Sequence, residues 1–302
     1  MIREGQLSDR QAIYDLHSAR VNLGEYDEME IYFARFFNAD NIIVNEVNGH
    51  VSASCQVNYH TVMINDYRIG AGVITACIPD RNNHDYMTQL LKDVDDELNH
   101  KVLLSLAISD TPSDFINLGF ESVYGRRRYQ LTRDMLPNRS FDGIDRSFTV
   151  REITDTYKAF TRNFNGYYLR DYEYWVARFE TFKYLKYSTV VFRNGKNEVE
   201  GYMIFGINQT NVYVYEIVYL SGEALVRLLC YAFKYKDKAT VMVSEHENLN
   251  VLIPGASYRN EPGVLAKINN LTLFNSLFGC NATTTEEALN SSGVPLFLNE
   301  EF

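Results

Sequence analysis

The stretch that most restricts the fold is Ile69-Gly70-Ala71-Gly72-Val73-Ile74-Thr75-Ala76-Cys77-Ile78-Pro79, followed by a turn and then Asp85. As far as Pro79 the residues are apolar or small, over the length of a buried strand. From Asp85 to Leu98 the period changes, and Tyr86, Leu90, Leu91 and Val94 fall on one helical face. A strand that turns into a helix aims several unpaired backbone N–H groups at one spot, and the helix dipole adds positive character there. Such a junction can receive a diphosphate without a dedicated side chain. Gly70 and Gly72 do not form a dinucleotide fingerprint, because no third glycine follows and Gly72 precedes the core of the strand.

The elements before and after this junction predict a mixed α/β (α+β) chain. Ser8 precedes a helical stretch through Leu16, and a second helix is expected over residues 27–37. Strands are expected at 41–46 and 50–59, joined by Asn48-Gly49, a strong hairpin signal. A further short strand at 61–64 turns through Asn65-Asp66 into 67–79. After the helix, strands at 102–108 and 124–132 flank a short helical turn. Residues 136–147, with Pro137, Asn138 and Gly143, read as a linker. The second half begins again at 148–153. Helices follow at 154–163 and around Trp175, then strands at 187–193, 200–207 and 211–220, a helix at 222–234 and a strand at 240–244. In residues 211–220, Val212, Val214, Glu216 and Val218 alternate. The expected organisation is one mixed unit at 1–136, a second at 148–262 and a short remainder at 263–302.

Composition excludes several function classes. The chain has 302 residues and a net charge of -10, which disfavours a nucleic-acid partner. Arg126-Arg127-Arg128 reads as a solvated stretch leading into a strand. An acidic protein instead attracts cationic small molecules. Cys55, Cys77, Cys230 and Cys280 form no CxxC pair, and the six histidines show no ligand spacing, so no metal site is expected. No apolar run approaches the ~18 residues of a membrane span, no signal core is evident at the N-terminus, and a cytoplasmic location is expected. The Tyr 22 and Phe 18 content makes an oligomer interface reasonable.

The 69–91 stretch resembles the acetyl-CoA motif of the GNAT acetyltransferases, and in particular of their Eis (enhanced intracellular survival) group. Asn117-Leu118-Gly119-Phe120 is similar to the turn after that group's active-site segment. Arg170 and Trp175 stand like the pair that marks its second domain. Val264-Leu265-Ala266-Lys267-Ile268 and the aromatic end at Phe302 resemble further landmarks. The resemblance implies two tandem GNAT domains with a sterol-carrier-like third domain reduced here to a short tail. It also implies a homo-oligomer, a hexamer in that family, and acetyl transfer from acetyl-CoA to small-molecule amines such as aminoglycosides or polyamines.

The residues that the resemblance assigns to acetyl-CoA are Ile74, Thr75, Ala76 and Cys77 on the strand; Asn82, Asn83, His84, Asp85, Tyr86 and Met87 at the turn; and Ser109 and Asp110 in the following loop. It assigns the base to the C-terminal carboxylate of Phe302 and the acid to a tyrosine. Phe115 occupies that tyrosine's position, and Tyr86 and Tyr124 are the candidate substitutes. The family's Arg-Arg-x-Gly falls on Asn82-Asn83-His84-Asp85. These departures open an alternative: a catalytically degenerate GNAT-fold protein that binds a small molecule or a protein partner.

Overall fold

A computed structural model describes residues 1–19, 26–81, 83–109, 111–136 and 140–300. In chain order the elements are β1 (Ile2–Glu4), α1 (Arg10–Ser18), α2 (Tyr26–Ile31), β2 (Ile42–Val47), β3 (His50–Ile64), β4 (Tyr67–Pro79), α3 (Asp85–Lys101), β5 (Leu104–Ala107), α4 (Pro112–Ile116) and β6 (Glu121–Thr132). Then come β7 (Ile144–Asp145), α5 (Val150–Thr161), β8 (Tyr167–Tyr168), α6 (Tyr172–Tyr184), β9 (Ser188–Arg193), β10 (Val199–Ile207), β11 (Val212–Tyr219), α7 (Gly222–Ala232), β12 (Lys238–Ser244), β13 (Ser257–Ile268), α8 (Leu271–Phe278) and α9 (Thr285–Leu289). They form two compact units. The first gathers Met1–Val123 and Gly263–Gly293, the second Tyr124–Pro262 and Val294–Asn299.

In the first unit β1 to β4 run antiparallel, β5 joins β4 in parallel, and the later half of β13 pairs antiparallel with β5, from Leu265 opposite Ala107 to Ile268 opposite Leu104. Two tight turns set the register. Asn48-Gly49 has φ of 52° and 80°, and Asn65-Asp66 has 47° and 65°, the left-handed pairs that match the twist of a hairpin. The strand expected to break near Tyr59 is continuous from His50 to Ile64, because no residue there favours a turn and β4 matches it along its length. One face of the sheet packs on α3 through Cys55, Val57, Ile74, Leu90, Leu91 and Leu98. The other carries α1 and α2 through Ile13 and Met29, and the helical turn after α2 through Phe33. Gly72 is needed where α3 crosses: a Cβ there would lie 2.6 Å from Leu98 Cδ2.

The second unit has sheet order β6-β12-β11-β10-β9-β7, with β11 and β12 parallel and every other neighbour antiparallel. The segment at 148–153 belongs to α5, which starts at Val150. Thr149 and Glu152 cap it reciprocally: the Thr149 amide donates to Glu152 Oε2 at 2.8 Å, and the Glu152 amide to Thr149 Oγ1 at 3.2 Å. Within the expected linker, Ile144–Asp145 adds an edge strand to β9. Residues 294–299 lie against this unit. The Asn165 amide donates to the Pro295 carbonyl and the Phe297 amide to the Asn165 carbonyl, while the Phe297 ring meets Phe160 and Phe164.

Arg170 locks that segment from beneath. It is 3% exposed, donates to both oxygens of Glu216 at 2.9 and 2.7 Å and to the Asn299 carbonyl, and lies over the rings of Tyr157 and Trp175. The Tyr202 hydroxyl donates to the same Glu216 at 2.6 Å. Removing the cation leaves a buried carboxylate without a counter-charge, which costs about 3–5 kcal/mol. Arg170→Met therefore lowers the unfolding free energy by about that amount in urea titration, and Glu216→Gln added to it recovers part of the loss.

Candidate active site

Of the residues the sequence assigns to acetyl-CoA, Ile74, Thr75, Ala76 and Cys77 come together on one strand edge. β4 and β5 pair from Ala71 opposite Leu104 to Ile74 opposite Ala107, and the last bond runs from the Ile108 amide to the Ile74 carbonyl at 3.3 Å. No further β4–β5 pairing occurs among the described residues. The cause lies in β4 itself. Ala76 has φ of 50°, and the register against β3 slips between Gln56 opposite Thr75 and Ser54 opposite Ile78. One extra residue on one strand bends it and increases its twist, which turns β4 away from β5. Among the described residues no strand pairs with 75–77 on the β5 side. Thr75, Ala76 and Cys77 are half-buried, whereas Ile74 is buried in the α3 core.

At the turn, Asn83, His84 and Asp85 precede or open α3. The Asp85 amide is capped by Asn83 Oδ1 at 3.0 Å, and the Met87 amide closes on the His84 carbonyl at 3.0 Å. His84 Nε2 reaches Asp114 Oδ1 at 3.0 Å, which ties the turn to α4. Asp85 is exposed, Tyr86 is half-buried, and the Met87 side chain lies in the core. Ser109 Oγ accepts from the Thr111 amide at 3.0 Å in the loop after β5. Asn82, Asp110 and Phe302 lie outside the described residues.

The strand edge fits a pantetheine arm, whose amides need backbone partners and no particular side chain. The turn fits a diphosphate less well, since one of its amides is capped from within and Asp85 puts a carboxylate at the helix start. Neither aromatic near the family's acid position is free to act. Phe115 is fully buried and packs edge-on against Phe120 at 5.5 Å. Tyr124 is fully buried, and burial pushes its phenol up.

No protein-family profile matches the chain, and neither does any curated protein. Solved structures do match. The chain superposes on the GCN5-related N-acetyltransferase from Anabaena variabilis with a TM-score of 0.73 at 15% identity, covering 90% of this chain and 73% of that one. A conserved protein of Enterococcus faecalis V583, described as a probable N-acyltransferase, gives 0.73 at 16% identity, over 90% and 72%. The chain has the GNAT fold. Eis1 from Mycobacterium abscessus is also similar, at a TM-score of 0.64 and 10% identity over 91% and 75%.

The second unit repeats the device. β11 and β12 pair from Val212 to Val214, and the register of β11 against β10 slips at Tyr215. The slip reverses the side-chain phase. Val212 and Val214 face α7, whereas Val218 faces α5 and α6 with Tyr202. Sequence alternation alone places Val212, Val214, Glu216 and Val218 on one face, so the charge of Glu216 was misplaced with them.

Glu247, just past β12, is a functional candidate that the sequence did not single out. Its Oε2 accepts from the Ser244 amide at 3.0 Å, the Tyr219 hydroxyl lies beside the same carboxyl, and burial raises it to about 7. A folded-state value above the ordinary 4.5 means that the folded protein holds this proton more tightly than the unfolded chain does. Its stabilising effect is full below pH 4.5 and is lost as pH rises through about 7. In denaturant titrations, Glu247→Gln gains on the wild type by roughly 3 kcal/mol between pH 4.5 and pH 8. A difference that stays flat across that range contradicts a neutral Glu247.

Proposed function

We propose that the chain is an acetyl-CoA-dependent N-acetyltransferase of the Eis-like kind, acting on small-molecule amines of the polyamine or aminoglycoside class. The observation behind this reading is the β4 edge at Thr75–Cys77, turned from β5 by the bulge at Ala76. Bound acetyl-CoA supplies the acetyl thioester. The backbone of residues 75–77 orients its arm, the first turn of α3 and the loop at Ser109 receive its diphosphate end, and the splay of the two strands sets where the thioester lies.

An amine must be neutral to attack, and the resemblance gives the removal of its proton to the terminal carboxylate of Phe302. With Phe115 and Tyr124 both buried, the half-buried Tyr86 at the start of α3 is the candidate left to protonate the departing thiolate. The charge of -10 favours cationic acceptors. The same resemblance carries assembly into a homo-oligomer, a hexamer in that family, which light scattering in solution measures directly.

Two features favour a second reading, a silent relative that keeps the cleft: Phe115, which has no proton to give, and Asp85, a like charge beside a diphosphate. Calorimetry with acetyl-CoA, joined to thiol release with spermidine or kanamycin as acceptor, separates the two. Binding with release establishes the transferase, and binding without release across an amine panel establishes the silent relative. No heat and no thermal stabilisation at millimolar acetyl-CoA overturns both as acyl-CoA proteins.

Under either reading Asp85→Gly tightens acetyl-CoA binding by roughly fivefold, the scale of one solvent-screened like charge. Deleting Phe302 abolishes turnover while leaving that affinity within about twofold, an outcome that distinguishes a terminal base from a binding contact.

A further inference from the structure

Cys55 and Cys77 meet at the bulge. On β3, Cys55 lies between Ser54, which is opposite Ile78, and Gln56, which is opposite Thr75, so it faces the two-residue bulge formed by Ala76 and Cys77. At such a bulge one residue stands opposite two on the partner strand, and neighbouring strands lie ~4.7–4.9 Å apart, inside the Cα separation of ~4.4–6.8 Å that a disulfide bridges. Both side chains are on the α3 face: Cys55 belongs to that core, and Cys77 packs against it. The Cys77 thiol donates to the Thr75 carbonyl at 3.8 Å, and its nearness together with burial raises the Cys55 thiol. Cys55 is fully buried, whereas Cys77 is half-buried on the strand edge assigned to the pantetheine arm.

We propose that Cys55 and Cys77 are an oxidisable dithiol, joined by peroxide into a disulfide that alters the β4 bulge and removes acyl-CoA binding. The existence of the pair stands on the β3–β4 register at the bulge and on the α3 face that both side chains share. Its effect on binding rests on the acyl-CoA reading above.

The chemistry runs in two balanced steps. The Cys77 sulfur, the one within reach of solvent, attacks hydrogen peroxide, the O–O bond breaks, and one oxygen leaves as water, giving a sulfenic acid on Cys77. The Cys55 sulfur then attacks the Cys77 sulfur, the S–O bond breaks, and the oxygen leaves as a second water carrying the Cys55 proton. Both sulfurs are oxidised by one electron each, and the peroxide is reduced to two waters. Burial and the contact with Cys77 keep Cys55 in the thiol form, which makes the second step the slower one. Forming an S–S bond of ~2.05 Å draws Cys77 toward β3. The edge that would pair with the ligand moves with it. Dithiothreitol reverses the whole change.

The test uses the full chain, oxidised with hydrogen peroxide, alkylated and cut with trypsin. Cleavage at Arg35, Arg68 and Arg81 leaves each cysteine alone, on peptides 36–68 and 69–81. The expected product is those two peptides joined with the loss of two hydrogens and separated again by dithiothreitol, with Cys230 and Cys280 still alkylated. In Cys55→Ala the joined product is absent, and Cys77 proceeds to the sulfinic acid. Recovery of Cys77 in the wild type only as the sulfinic acid, or joined to Cys230 or Cys280, overturns the pair.

Acetyl-CoA affinity is measured on the same samples, with an expected loss of at least tenfold on oxidation and full return on reduction. Equal affinity before and after a proven crosslink overturns the effect on binding. A reduced protein that binds no acetyl-CoA at all while the crosslink forms instead overturns the acyl-CoA reading and leaves the dithiol standing.

Discussion

Backbone hydrogen-bonding groups inside a sheet need partners, and beyond Ile74 those of β4 have a strand on one side only. That constraint organises the first unit. The Ala76 bulge ends the parallel pairing with β5, and the residues after it still pair with β3 in the shifted register. An alanine held at φ of 50° is strained, since its Cβ crowds the carbonyl, and the cost is about 1–2 kcal/mol. The flanking antiparallel pairs and the α3 core of Ile74, Leu90 and Leu98 hold it in place. Strain kept where the surrounding structure over-determines it is a usual mark of a binding edge.

The sequence was legible where one local signal decides. Asn48-Gly49 and Asn65-Asp66 gave both hairpins, and the helical spacing from Tyr86 to Val94 gave α3 and its buried face. It was illegible where a single residue changes phase. Nothing in Thr75-Ala76-Cys77 announces a left-handed alanine, because such bulges usually advertise themselves with glycine. At Tyr215 the same omission reverses Glu216 and Val218 relative to Val212 and Val214. Long-range pairing was equally hidden: residues 265–268 join β5 across an interval that no local pattern spans.

The candidate site divides the same way. The helix start follows from the strand–turn–helix pattern, whereas the unpaired edge at residues 75–77 depends on the Ala76 bulge, which that pattern does not carry. Side-chain parts depend on what surrounds each residue. Phe115 aligns with an acid position, yet α4 turns it into the core against Phe120. Asn83 aligns with an arginine, yet its short amide folds back onto the Asp85 N–H instead of reaching outward. Asx side chains readily do this, because they reach their own backbone two residues on.

The two units put one backbone device to different uses. In the second, the bulge at Tyr215 delivers Glu216 to a buried position where Arg170 and Tyr202 neutralise and bind it, and Arg170 spends a further N–H on the Asn299 carbonyl. A carboxylate there is tolerable only with its cation in place, so the bulge, the ion pair and the seating of residues 294–299 depend on one another. In the first unit the residues after the bulge are Cys77 and Ile78, with no charge to satisfy, and the edge stays open on the β5 side. A polar lock thus seats the C-terminal segment in the second unit, while the shifted edge at residues 75–77 in the first carries no charge that needs one.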